Sequence, residues 1–91
     1  MELANQIYSL ALVAQQRAVA LLDEKYLDLH IRLLLCEYIT YLGKTLELAA
    51  FLSVESTSTE RVPLEMLLYA TKECSYIEVE LNLRNICFMI H

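Results

Sequence analysis

Helix breakers are almost missing from this chain, which has one glycine, one proline and no tryptophan. The single glycine, Gly43, falls inside a helical pattern, so a glycine-rich loop cradling phosphate, of the P-loop or dinucleotide type, is excluded. Basic residues are scarce as well: seven Lys and Arg face twelve Asp and Glu, for a net charge of −5. Arg17, Lys25, Arg32, Lys44, Arg61, Lys72 and Arg84 stand singly and build no stripe. Binding to phosphates relies on clustered cations that release counterions, so this pattern argues against nucleic acid as a partner.

Cysteine usage is equally uninformative as chemistry. Cys36, Cys74 and Cys87 form no CxxC pair and no metal-ligand spacing. On one helix Cys74 and Cys87 would lie ~20 Å apart, too far for a bond. The odd number fits free, buried thiols in a reducing compartment. His30 has no second His or Cys at ligand spacing, so no metal site and no cofactor are expected. Serines lack the strand–turn–helix setting that a nucleophile uses.

Long apolar runs are absent too. A spanning helix needs ~18 or more apolar residues, whereas the longest charge-free stretch, residues 3–16, is shorter and contains Asn5, Gln6, Gln15 and Gln16. Glu2 stands where a signal peptide would be basic. The expectation is an intracellular, cytoplasmic protein without membrane contact.

What is present is apolar residue in excess. Hydrophobic types make up 57% of 91 residues, against a usual share of ~45–50%. A chain of this length hides only ~60–65% of the surface its unfolded form exposes. Six tyrosines can keep a hydroxyl wet while burying a ring, but the aliphatic remainder needs cover, and a partner chain is the expected cover.

Periodicity divides the chain into three helices: about 3–23, about 27–54 and about 64–90, with a loop at 55–63 where Ser56–Arg61 has no apolar residue and Pro63 suits a helix start. The first segment is an ordinary amphipathic helix with Leu3, Ile7, Leu10, Ala11, Ala14, Ala18, Leu21 and Leu22 on one face. The second has one narrow polar stripe, Glu37, Thr40, Lys44 and Glu47, and is apolar over half its circumference. A helix of that kind is packed on more than one side. Gly43 within it costs ~1 kcal/mol relative to Ala, which close approach of a neighbour or a bend would explain. The third carries a heptad seam of Leu67, Ala70, Cys74, Ile77, Leu81, Arg84 and Phe88, with Val79, Leu83, Ile86 and Ile90 as a second stripe. Its last residues, 86–91, stop in mid-pattern, as a terminus buried against a partner or cut short would do.

These patterns predict an all-α, single-domain helical bundle completed by dimerisation or by a partner chain, acting as an adaptor, assembly subunit or regulator. The expected interface residues are Leu34, Tyr38, Tyr41, Leu42, Leu67, Cys74, Ile77, Leu81, Phe88 and Ile90. The apolar surplus is expected on the broad face of the second helix and in the last turns of the third. Tyr69 and Tyr76 join Tyr38 and Tyr41 as rim or interface tyrosines.

A competing class is an enzyme. Leu83-Arg84-Asn85-Ile86 followed by His91 resembles the Arg-x(4–6)-His motif of HEPN domains, small all-helical dimers of which many are RNases. The resemblance covers under a tenth of the chain and implies Arg84 at the scissile phosphate and His91 in acid–base chemistry at a dimer cleft. Glu80 and Arg84 also read as a plain i,i+4 ion pair. A third class is an acidic inhibitor or antitoxin that masks a basic partner.

Overall fold

The computed structural model describes residues 2–54 and 61–84. Three helices occupy them: α1 (Glu2–Leu22), α2 (Leu29–Val54) and α3 (Arg61–Leu83). No strand occurs among the described residues, so the fold is all-α with three helices.

The boundaries have local causes. α2 starts two residues later than its periodicity predicts because Asp28 caps it: the Ile31 N–H donates to Asp28 Oδ1 at 2.9 Å, the geometry of an N-cap side chain serving the third helical residue. α3 starts at Arg61, three residues before the predicted start. Pro63 then lies in the first turn, where its missing N–H would have had no intrahelical partner. At the other end the Arg84 N–H donates to Leu81 O at 3.1 Å, the tighter closure common in last turns. The predicted continuation of this helix over residues 85–90 lies outside the described residues.

Arg32 closes the corner between α1 and α2. Its Nη1 donates to Leu22 O at 2.6 Å, its Nη2 to Glu24 O at 2.7 Å and its Nε to Leu27 O at 3.3 Å. Carbonyls at a helix C-terminus lack intrahelical donors, and one guanidinium supplies several in a fixed fork. This corner is what returns the chain along α1.

α1 and α3 both pack on α2, while their own backbones stay apart. The N-terminal part of α1, the C-terminal part of α2 and the start of α3 share one core cluster, Ala4, Ala49, Leu52 and Leu67. Ala11, Ala14 and Ala18 meet Leu35, Tyr38, Leu42, Cys74, Ile77 and Leu81 in the other. The path is therefore up, down, up, in a rod of 46 × 18 × 16 Å. α2, ~39 Å long at 1.5 Å per residue, is its spine.

The broad apolar face of α2 is covered by this chain's own α1 and α3, and Glu37, Thr40, Lys44 and Glu47 face outward. The expected surplus on that face is thereby corrected. Exposed apolar side chains sit mainly on α1 (Leu3, Leu10, Leu12, Val13, Val19) and α3 (Met66, Leu68, and Val79 and Leu83 of the expected second stripe), with Leu29, Leu33, Phe51 and Val54 exposed on α2 outside its broad face. α1 keeps most of its predicted face, with Ala11, Ala14 and Ala18 buried and Ile7, Leu21 and Leu22 half-buried, and departs from it at Leu3 and Leu10. It buries only Ala4, Ala11, Ala14 and Ala18, leaving Leu3 53% and Leu10 44% exposed. Alanines let two helix axes approach closely, so the smallest side chains take the centre of the contact and the leucines fall on its flank.

Candidate functional site

Because the backbones of α1 and α3 stay apart, a groove opens between them with α2 as its floor. Ile7, Leu10 and Ala11 form one wall, Thr71, Cys74 and Ser75 the other, and Leu42 and Thr45 the base, around a notch of about 110 Å³. Leu3 lies one and two turns before Ile7 and Leu10, and Leu68 and Val79 lie on the Ser75 face of α3, so the lips continue apolar in both directions.

The Thr45 and Thr71 hydroxyls in this groove are committed to their own helices, and Ser75 stands at its exposed edge. Thr45 Oγ1 donates to Tyr41 O at 2.9 Å and Thr71 Oγ1 to Leu67 O at 2.8 Å. Thr45 Oγ1 is also 3.9 Å from Cys74 Sγ. Burial pushes the Cys74 thiol up to about 11, with the Thr45 hydrogen bond pulling the other way. The thiol is neutral at physiological pH and a poor nucleophile. Below the groove, buried Tyr38 donates its hydroxyl to Glu78 Oε2 at 3.2 Å. Burial, then the Glu78 charge, raises its phenol above the ordinary value. Among the described residues no buried side-chain nitrogen or oxygen lacks a partner, and no group of His, Cys, Asp and Glu could hold a metal ion.

The predicted interface residues divide clearly. Tyr38, Leu42, Leu67, Cys74, Ile77 and Leu81 are buried by their own chain, so they are core positions and offer no surface in this fold. Leu34 and Tyr41 are half-buried against that core, and Phe88 and Ile90 lie outside the described residues. Of the heptad seam, Leu67, Ala70, Cys74, Ile77 and Leu81 are buried on the side of α3 that packs on α2, whereas Arg84 is exposed. Cys36, expected to be buried, is exposed. Tyr41 and Tyr69 meet edge to face, with centroids 6.5 Å apart, at the side of a second depression lined by Lys44, Leu48, Val62, Glu65, Met66, Tyr69 and Ala70.

Of the enzyme pair, Arg84 is exposed just past α3 and His91 lies outside the described residues. The groove residues Leu10, Thr45, Thr71 and Ser75 were not anticipated. Their signal was present in Thr45, a polar residue set within the apolar arc of α2. No helix among the described residues is long and apolar enough to cross a membrane. The chain matches no protein-family model, no curated protein and no solved structure.

Proposed function

We propose that this chain is a small protein–protein interaction module, working as a homodimer or as one subunit of a heteromeric complex through the outward apolar residues of α1 and α3. One observation carries the reading: α1 turns alanines inward and leaves Leu3, Leu10 and Val13 exposed on one flank, with Leu12 and Val19 exposed on the other. Apolar side chains scattered singly are normal on a soluble protein, whereas a contiguous set marks an interaction surface. Leu3 shares the flank of α1 that carries the groove residue Leu10, and Leu68, 55% exposed, shares the face of α3 that carries the groove residue Ser75.

Size-exclusion chromatography with light scattering tests it, on the chain as it stands and on Leu10→Glu combined with Leu68→Glu. The expected result is a mass above that of one chain, or material soluble only with a partner, and reversion to a soluble monomer in the double variant. Association should tolerate high salt, because apolar burial is not screened; a charge-driven inhibitor would dissociate. A soluble monomer at ~100 μM, an affinity range in which even weak complexes form, with no change in the double variant, would overturn the reading.

A further inference from the structure

We propose that the notch between α1 and α3 is a binding site for one small, uncharged, apolar molecule of about the size of a benzene ring. The volume is about 110 Å³, somewhat smaller than the ~150 Å³ of a closed apolar cavity that takes up benzene or xenon, and the notch is open on one side. The wall explains why water is a poor occupant. A buried water needs two to four polar partners, yet Thr45 and Thr71 have spent their hydroxyl protons on Tyr41 O and Leu67 O. The Cys74 thiol is a weak donor already beside Thr45. What remains is the side chains of Ile7, Leu10 and Leu42, the Ala11 methyl and the carbon atoms of the two threonines, with the Ser75 hydroxyl at the exposed mouth.

A charged or strongly hydrogen-bonding molecule would be desolvated there without compensation. An apolar ring or short branched alkane exchanges water contact for that wall, a gain that scales with the area covered. One side of the notch opens at Leu10 and Ser75, both exposed, so entry requires no unfolding. This assignment stands apart from the docking role proposed above, since it concerns a single chain and a free molecule.

Toluene is the probe, followed by amide shifts in two-dimensional NMR at a protein concentration where the chain's own association state is fixed. The expected result is saturable shifts at Ala11, Thr45, Thr71 and Cys74, with none of comparable size at exposed Leu33 or Phe51. Thr71→Leu, which extends an isobutyl group into the notch, should abolish them, and Thr71→Val, which keeps the shape, should retain them. Should Thr71→Leu disturb folding, Ser75→Leu at the exposed mouth serves the same purpose. Shifts that never saturate, or that are as large at Leu33 and Phe51, would overturn the assignment. So would shifts in this set that follow protein concentration instead of toluene, which would give the notch to a second copy.

Discussion

α2 has two interfaces within one chain, and they are built from different materials. Toward α3 it sets Tyr38, Leu42 and Leu52 against Leu67, Ile77 and Leu81, all buried. Toward α1 it meets a stripe of alanines. A buried leucine contributes roughly 1.5–3 kcal/mol relative to an exposed one, and an alanine methyl much less. The α2–α3 pair is therefore the stable half of the fold. α1 is held by close backbone approach, by half-buried Ile7, Leu21 and Leu22, and by the Arg32 corner. The difference teaches that an apolar helix need not bury its large residues on its own chain. Small residues can take the intramolecular contact and leave the large ones for something else.

The sharpest test of that contrast truncates one leucine on each side. Leu81→Ala, at a position with no exposed surface, should cost about 2–5 kcal/mol in urea unfolding, from lost transfer energy plus a cavity. Leu10→Ala, on the outer lip of the groove, should cost under about 0.5 kcal/mol in the isolated chain. Equal costs would show that Leu10 is buried within the chain and would erase the contrast. Next in size is Ala14→Leu, on the fully buried stripe of α1. Overpacking should destabilise by about 1–3 kcal/mol, measured by the same unfolding midpoint. A neutral result would mean that α1 is free to rotate on α2.

The stable half should also carry an alkaline signature. Cys74 moves from an ordinary 9.0 to about 11 by burial, so folding favours its neutral form. A group raised in the folded state gives its full stabilisation below the unfolded value and loses it as pH climbs to the folded one. Stability should therefore hold to about pH 9 and fall between about 9 and 11. Tyr38, raised in the same direction, adds to the fall. In Cys74→Ala the urea midpoint should start lower but decline less over that window. An unchanged slope would show that the thiol is solvated in the folded protein.

How much of this was legible beforehand follows from which forces sequence reports. The helices were, because a chain with one glycine and one proline has few ways to stop, and the seam Leu67, Ala70, Cys74, Ile77, Leu81 was, because its heptad spacing is independent of its partner. That α2 packs on two sides also followed from its wide apolar arc. What could not be read was which helix covers that arc. Periodicity gives the direction of a face, whereas the assignment of its cover to α1 and α3 depends on a corner made by one arginine and three carbonyls. Nor does hydropathy distinguish Ala11 from Leu10 as the centre of a contact. Axis separation decides that, and it is a property of the pair of helices.

Gly43 brings the same distinction to its finest scale. A glycine within a helix suggests that a neighbour approaches too closely for any side chain, and α1 does pass beside it. Yet a Cβ built at Gly43 meets nothing nearer than Gln15 Nε2 at 3.8 Å, an ordinary contact with the end of a flexible side chain. The close approach of α1 is thus taken up by its own alanines and leaves room on α2. Gly43→Ala should raise stability by about 0.5–1 kcal/mol, since alanine loses less backbone freedom on folding and fits the helix without strain. The urea midpoint should rise with no change in slope. A fall would mean that α1 sits closer to α2 than Gln15 allows, and the alanine stripe would then be only part of the reason the two helices approach.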